Sequence, residues 1–193
     1  MATGLGLALL TGVGIAAACG LRAFLPLLAV GIGARVGVLH LRGGSEWLAN
    51  DTALWALGAA TVLEILGDKV PVVDHALDAL GTLLRPAAAV VGTYAVLHGW
   101  GEPWAPLFSL VFGAGALAVH GIKAKARVGS SAVTLGHANP FLSALEDVTS
   151  FGLLAAAILA PLAALAIVLL LAWMARRWWR RRQTSRAMVA GGA

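Results

Sequence analysis

Charge is scarce in this chain of 193 residues: charged side chains make up 12% of it and hydrophobic ones 60%. Soluble domains carry about 25% charged residues. A water-soluble domain this apolar would expose large adhesive patches, so the composition excludes that class and predicts a protein that crosses a lipid bilayer several times. We expect an all-α fold of five to six spans, some of them interrupted or re-entrant.

Cysteine is also nearly absent, which excludes two further classes. The single cysteine, Cys19, lies in an apolar run, so neither a disulfide framework nor a Cys/His zinc site is expected. No charged region precedes the first apolar run, which argues against a cleaved signal peptide. The Gly-x-Gly patterns of residues 4–14 follow no strand and do not indicate a nucleotide site. No cofactor is expected.

The net charge of +5 comes from the C-terminal tail. Six arginines lie there without a neighbouring acid: Arg176, Arg177, Arg180, Arg181, Arg182 and Arg186. Such a run directly after a span is typical of the cytoplasmic side of a membrane and of contact with anionic headgroups, rather than of nucleic-acid binding. We expect one bundle over residues 1–175 and a partly disordered cytoplasmic tail over 176–193, in a bacterial inner membrane. Homo-oligomerisation stays open.

Six apolar stretches follow one another along the chain. They cover about residues 4–21, 23–38, 52–67, 79–98, 105–122 and 151–175. Arg22 and Pro26 interrupt the first two, and proline disturbs a helix interior, so we expect two short helices that meet near Arg22 as a re-entrant hairpin or a kinked span. Residues 123–139 turn polar and are expected to form a loop before a short helix begins at Asn139-Pro140.

Residues 64–78 concentrate charge between apolar stretches. An intramembrane charge costs about 2.5–3.5 kcal/mol even on lenient scales, so it usually has a function. Two carboxylate pairs have i,i+4 spacing, Glu64 with Asp68 and Asp74 with Asp78, and each pair would share one helix face. Because Pro71 separates the pairs, we expect two helices that meet there.

These acids admit two interpretations. Carboxylates that face a cavity can bind cations or carry protons, and Mg²⁺ also accepts them. The candidates for ion or proton coupling are Glu64, Asp68, Lys69, Asp74, Asp78, Glu146 and Asp147. Alternatively, the charges neutralise one another and tie helices together. The sequence does not decide whether a metal binds.

Arg22 is the sharpest candidate for substrate binding, because it lies where a helix is expected to begin, and helix N-termini and arginine both favour anions. Lys123, Asn139 and Ser143 are its predicted partners in the second half of the chain. Snorkelling or a salt bridge would explain Arg22 equally well. For Lys125 and Arg127, a solvated loop is the expected setting.

A weak internal repeat links the two halves, 4–98 and 105–175. Gly20-Leu21-Arg22-Ala23 corresponds to Gly121-Ile122-Lys123-Ala124, and Pro71-x6-Asp78 to Pro140-x6-Asp147. Paired interrupted segments of this kind are typical of transporters built from inverted repeats. Chance similarity in a chain rich in alanine, leucine and glycine is the alternative.

Three motifs together resemble an uncharacterised bacterial integral-membrane family, catalogued as domain of unknown function 4126. They are Gly20-Leu21-Arg22-Ala23-Phe24-Leu25-Pro26, then Glu64-x3-Asp68-Lys69-x-Pro71-x2-Asp74-x3-Asp78, then Asn139-Pro140-x2-Ser143-x2-Glu146-Asp147. The resemblance covers about residues 10–165 and implies a multi-pass inner-membrane protein without an assigned activity.

The residues favour a small transporter or lipid translocase for an anionic or phosphate-bearing substrate, with buried carboxylates that couple protons or cations. A membrane-embedded, metal-dependent enzyme acting on a phosphate-bearing lipid is the second reading. The Asp-x3-Asp spacing resembles part of the acidic motif of lipid phosphatidyltransferases. This interpretation ranks lower because the chain lacks the Asp-Gly-x2-Ala-Arg element of that motif. A non-catalytic scaffold locked by a structural charge network is the third.

Overall fold

The fold is entirely helical wherever the structure describes the chain. The structure is a computed structural model and describes residues 2–41, 43–134, 138–161, 166–174, 176–177 and 180. Six α-helices follow one another: α1 Ala2–Leu21, α2 Phe24–Arg35, α3 Asp51–Gly67, α4 Pro71–Leu97, α5 Trp104–Thr134 and α6 Asn139–Leu159. Residues 166–174 are helical as well. The predicted all-α class is confirmed.

Among the residues that the structure describes, four helices are long and apolar enough to cross a membrane. They contain the segments Gly4–Leu21, Ala76–Trp100, Trp104–Thr134 and Pro140–Leu159. Helix α2 has 12 residues, which correspond to about 18 Å at 1.5 Å per residue, and this is less than the ~30 Å hydrocarbon core. Helix α3 has 17 residues. These two shorter helices account for the difference from the predicted five to six spans.

The predicted break at Arg22 is present. Helix α1 ends at Leu21 and α2 begins at Phe24, with Pro26 in its first turn, where its ring and missing N–H are tolerated. The predicted junction at Pro71 is also present, since α3 ends at Gly67 and α4 begins at Pro71. Both charged motifs therefore lie at helix ends.

The predicted loop over residues 123–139 was wrong for its first part. Helix α5 continues to Thr134, because Lys123 and Arg127 have i,i+4 spacing and both side chains are buried rather than solvated. The short helix expected at Asn139-Pro140 is also longer than predicted. It is α6, which runs without interruption to Leu159 and includes the start of the last predicted span.

Helix α1 lies at the centre of the bundle and runs antiparallel to α6. The Thr11 hydroxyl donates to the Ala157 carbonyl at 3.0 Å, and the Ser150 hydroxyl donates to the Ala18 carbonyl at 3.4 Å. Residue numbers thus rise along α1 as they fall along α6. Buried hydroxyls that bond carbonyls across helices suit a membrane interior, where every polar group needs a protein partner.

Helix α1 runs parallel to α5. At one end of the bundle, the Trp100 indole N–H before α5 donates to the Leu5 carbonyl near the start of α1, at 3.2 Å. At the other end, the Lys123 ammonium donates to the Leu21 carbonyl at the end of α1, at 3.3 Å. Helices α1, α3 and α5 therefore approach the same end of the bundle, and α4 and α6 begin there.

The loop between α2 and α3 reaches the opposite end. A Cβ added at Gly43 would lie 2.9 Å from the His98 Nδ1, just after α4. The 3-10 turn Glu46–Ala49 packs under α2, where a Cβ added at Gly31 would clash with the Leu48 carbonyl oxygen. The hairpin of α2 and α3 with its loop thus extends along the length of the bundle. Whether it is re-entrant in a bilayer stays a prediction.

The closest approach of α1 to α5 requires a glycine. A Cβ added at Gly20 would lie 2.5 Å from the Val119 Cβ and 2.7 Å from the Ala116 carbonyl oxygen, whereas nothing lies within 4 Å of one added at Gly121. Small residues allow helix backbones to pack closely in membranes, where lipid provides no hydrophobic drive for association.

We predict that Gly20→Ala lowers the stability of the detergent-solubilised protein by about 1–3 kcal/mol, as overpacking does. The matched control is Gly121→Ala, its counterpart in the internal repeat, which should leave stability unchanged or raise it by up to about 1 kcal/mol through helix propensity. Thermal unfolding of both variants checks this. Equal melting temperatures for the two would show that α1 and α5 are not in close contact at Gly20.

Candidate functional site

A group of eleven ionisable side chains gathers where α1 and α3 end and α4 and α6 begin. We call it the charged cluster, and its members are Arg22, Glu64, Asp68, Lys69, Asp74, Asp78, Arg85, Lys123, Arg127, Glu146 and Asp147. All seven residues predicted for ion or proton coupling belong to it, together with two of the four predicted substrate ligands.

Arg22 joins the end of α1 to two other helices, α3 and α6. Its Nη1 lies 2.5 Å from the Asp68 Oδ2 after α3, and its Nη2 lies 2.5 Å from the Asp147 Oδ1 of α6. Nη1 also donates to the Glu64 carbonyl and Nη2 to the Ser143 hydroxyl, at 3.2 and 3.1 Å. The side chain is fully buried. The predicted partners Arg22 and Ser143 therefore meet, but in a paired network rather than as an open anion receptor.

Glu64 has a local structural role, and its part in ion coupling stays a prediction. Its carboxylate accepts hydrogen bonds from the Ala23 and Phe24 amides at 2.9 and 3.2 Å, so it caps the N-terminus of α2. A negative charge is favourable there because the free amides and the helix dipole both attract it. Its i,i+4 partner Asp68 faces the cluster interior as predicted.

Arg127 is the second hub, and the sequence analysis did not identify it. Its Nε and Nη2 donate to the two carboxylate oxygens of Glu146 at 3.2 and 2.7 Å, in the bidentate geometry typical of arginine. Its Nη1 contacts Asp74, and its Nη2 lies 3.1 Å from the Asp68 Oδ2. One arginine of α5 thus holds acids of α4 and α6 and the turn after α3.

Lys123 lies one helical turn before Arg127 and is equally buried. Its Nζ is 3.0 Å from the Glu146 Oε2 and 3.8 Å from the Asp78 Oδ1. The i,i+4 spacing of Lys123 and Arg127 could have indicated that both side chains share one helix face. This inference requires that α5 continue beyond Lys123, which the sequence analysis did not expect. Lys125, between these two bases, is exposed as expected.

A further branch extends from Asp78 into the bundle. The Arg85 Nη2 lies 3.4 Å from the Asp78 Oδ1, and its Nη1 contacts the His120 Nδ1. The His120 Nε2 lies 3.4 Å from the Thr82 hydroxyl. Sequence reasoning missed Arg85, although an arginine seven residues after Asp78 shares its helix face. The imidazole of His120 is buried in this network.

Lys69 lies at the margin of the charged cluster. Its side chain is half-exposed, with its Nζ 3.9 Å from the Asp147 Oδ2. The side chain of Asn139, a predicted substrate ligand, lies outside the described residues, as does that of His75. Of the basic tail, only Arg176, Arg177 and Arg180 are described; Arg177 lies over the Trp173 ring at 5.1 Å. The predicted disorder of the tail falls largely outside the described part.

The cluster carries one excess negative charge when all its groups are ionised, because six carboxylates face five bases. The attraction between paired buried charges offsets part of their desolvation cost. The Asp68 Oδ1 is buried without a hydrogen-bond partner among the described residues, and so are the Nε atoms of Arg22 and Arg85. The cluster therefore keeps an excess negative charge and some unused donors and acceptors.

Two acids of the cluster that lie outside the spanning segments, Asp68 and Asp74, respond to their surroundings in opposite directions. Burial raises the pKa of Asp68, but the charges of Arg22, Lys123 and Arg127 outweigh it and hold this pKa below its usual value. Burial also raises the pKa of Asp74, and there Arg127 does not compensate for it. Asp74 is therefore protonated before Asp68 as the pH falls.

No three His, Cys, Asp or Glu side chains within the described ranges are grouped as a metal site. The acids of the cluster are directed at arginine and lysine instead.

The paired motifs of the internal repeat contact each other across the two halves. Arg22 pairs with Asp147 of the second half, and its counterpart Lys123 pairs with Asp78 of the first. However, α1 and α5 run in the same direction, and α4 and α6 both begin at the cluster. These directions match a parallel repeat and are opposite to those that an inverted repeat of these motifs requires.

A bundle with four span-length apolar helices and a buried charge network defines an integral membrane protein. More specifically, the chain belongs to the family described as Domain of unknown function (DUF4126), whose model matches residues 9–181. The predicted family is thereby confirmed. No curated protein and no solved structure matches the chain.

We predict that Arg22→Gln destabilises the protein by about 3–5 kcal/mol, because it removes the closest counter-charge of the buried Asp68 and of Asp147. The matched control is Arg35→Gln, which breaks an exposed ion pair with Asp51, formed at 2.6 Å, and should cost no more than about 1 kcal/mol. Denaturant titration of the detergent-solubilised variants measures both. A similar small loss for each would contradict the structural importance of Arg22.

Proposed function

We propose that the protein is a small membrane transporter in which binding of an anionic substrate is coupled to protonation of the charged cluster. One observation supports this most directly. Lys123, Arg127 and Glu146 line a cavity of about 350 Å³ beside the cluster, and Glu146 lies 3.0 and 2.7 Å from the two bases. The groups that would bind an anion are therefore accessible from a cavity but occupied by a carboxylate.

Protonation would exchange these partners. A neutral carboxyl group no longer balances a guanidinium, so a proton on Asp74 removes one ion pair of Arg127 and favours its contact with a carboxylate or phosphate group. One proton changes the formal charge of the cluster from −1 to 0, which lowers its repulsion of an anion. Proton and anion binding thus favour each other, as linked ligands must.

Asp74 is the first group to protonate in this scheme. Burial raises its pKa, so the folded protein binds this proton more tightly than the unfolded chain does. Its contribution to stability is consequently present at low pH and is lost as the pH rises through the folded-state pKa. Asp68 behaves oppositely, because its pKa is lowered and its contribution is lost on acidification.

The same exchange would loosen the contact between helices. Arg127 of α5 holds Glu146 of α6 and Asp74 of α4. Release of these bridges biases the bundle towards a second arrangement, in which the cavity between α5 and α6 opens further. In this proposal the two halves are parallel repeats, and α2 with α3 forms a re-entrant or tilted hairpin beside them.

The proposal includes an orientation. The arginine-rich tail lies at the cytoplasmic side of a bacterial inner membrane, where anionic headgroups attract it.

A structural scaffold is the second candidate. The pairing of Arg22, Lys123 and Arg127 with carboxylates favours it, because a network of this kind ties helices together without any substrate. In a scaffold the cluster would bind neither protons nor anions reversibly.

Flux measurements distinguish the two. We predict that vesicles of phosphatidylcholine that contain the protein and an internal pH dye acidify when an inward gradient of inorganic phosphate, glycerol 3-phosphate or a short-chain lysophosphatidic acid is applied. Lys123→Gln should abolish this proton movement, since it removes a cation from the cavity. Lys125→Gln, an exposed lysine on the same helix, is the control and should retain it.

Asp74→Asn tests the role of the proton itself, because asparagine keeps this position in the neutral form at every pH. Anion flux in this variant should persist with a weaker dependence on pH. Folded wild-type protein that moves no protons with any of the three anions would overturn the transporter proposal in favour of the scaffold.

A further inference from the structure

A largely apolar cavity lies between α5 and α6, with α1 as its floor. Its lining includes Ala17 of α1, Val119 and Ala126 of α5, and Thr149 and Leu153 of α6. Val168, Leu171 and Ala172 of the helical segment 166–174 form its outer flank. A volume of about 350 Å³ lies within the range of small-molecule sites.

Charge is confined to one part of this cavity. Lys123, Arg127 and Glu146 are its charged lining residues, and all three belong to the charged cluster. Towards Val119 and Leu153 the lining is apolar. A ligand that fills the whole cavity therefore needs a polar end and a hydrocarbon part.

The length of the cavity matches one leaflet of a bilayer. Its lining on α6 extends from Leu142 to Leu153, which corresponds to about 16 Å at 1.5 Å per residue. This is about half of the ~30 Å hydrocarbon core. The charged end lies at the end of the bundle where α6 begins, which is where a lipid headgroup of that leaflet would be.

The cavity also opens sideways. Ile122 of α5 and Leu145 of α6 line it and are 60% and 63% exposed. Because both helices belong to the span-length segments, these exposed rims face lipid. A chain can enter from the bilayer without crossing water.

We propose that this cavity binds the hydrocarbon chain of an anionic lipid, with the lipid headgroup at Lys123 and Arg127. The inference rests on the proposed function and names the substrate class of the same site. A soluble anion would use the charged end alone and leave the apolar wall without a partner. A lipid chain covers that wall and aligns the anionic group with the two bases.

Crosslinking tests the site without requiring transport. The purified protein is reconstituted into phosphatidylcholine vesicles that contain a low fraction of phosphatidylglycerol with a photoreactive group on its acyl chain. Modified peptides are then mapped by mass spectrometry. We expect modification to concentrate on Thr149, Leu153 and the facing residues of α5, and to increase as the pH is lowered and Asp74 takes up a proton.

Cavity-filling variants provide the controls. Ala126→Trp and Ala172→Trp fill the cavity from two walls and should reduce this crosslinking at least about tenfold, which corresponds to about 1.4 kcal/mol. Ala114→Trp is the matched control, because Ala114 is exposed on α5 but does not line the cavity. Melting temperatures show that each variant is folded, and Ala172 lies outside the packed helices α1–α6.

Crosslinks spread evenly over the exposed faces of α4, α5 and α6, or unchanged in both filled variants, would overturn the inference. Equal labelling by photoreactive phosphatidylcholine and phosphatidylglycerol at pH 5.5 would also overturn it, because Lys123 and Arg127 would then not distinguish an anionic headgroup from a zwitterionic one. Cavity crosslinking without anion-driven flux would retain the lipid site and reject transport. Flux of inorganic phosphate without cavity crosslinking would retain transport and reject the lipid site.

Discussion

One carboxylate oxygen organises the structure. The Asp68 Oδ2 lies 2.5 Å from the Arg22 Nη1, 3.1 Å from the Arg127 Nη2 and 4.0 Å from the Lys123 Nζ. A buried charge is tolerable only with such partners. Because these bases come from the end of α1 and from α5, the position of Asp68 after α3 fixes where three separate parts of the chain meet. Glu64, one turn earlier, caps α2 from the same helix.

This constraint explains which features were predictable from the sequence. The breaks at Arg22 and Pro71 follow from local chemistry, since proline and charge interrupt apolar runs wherever they occur. The continuation of α5 through Arg127 was not predictable in this way. From hydropathy alone, the segment that contains Lys123 and Arg127 is expected to be solvated, and only the partners of these bases on α4 and α6 make a buried helix favourable. Arg85 was not predicted for the same reason, because its partners are also visible only in the folded structure.

The internal repeat shows a second limit of sequence reasoning. The motif pairs contact each other across the two halves, since Arg22 pairs with Asp147 and Lys123 with Asp78. Helix α1 and its counterpart α5 run in the same direction, and the pair α2 and α3 between them does not change this, because two helices return the chain to the same end of the bundle. The same network that locks the fold also leaves one negative charge without a counter-charge, and this is why stability and proposed transport involve the same residues.

The claim that Asp68 and Arg22 act as one unit is tested most directly by a double-mutant cycle. The free energy of unfolding is measured for the wild type, Arg22→Gln, Asp68→Asn and the double variant, in detergent at neutral pH. The account predicts that the double variant loses less stability than the two single losses added together, by about 0.5–3 kcal/mol. Losses that add within about 0.5 kcal/mol would contradict it, because the two residues would then contribute independently.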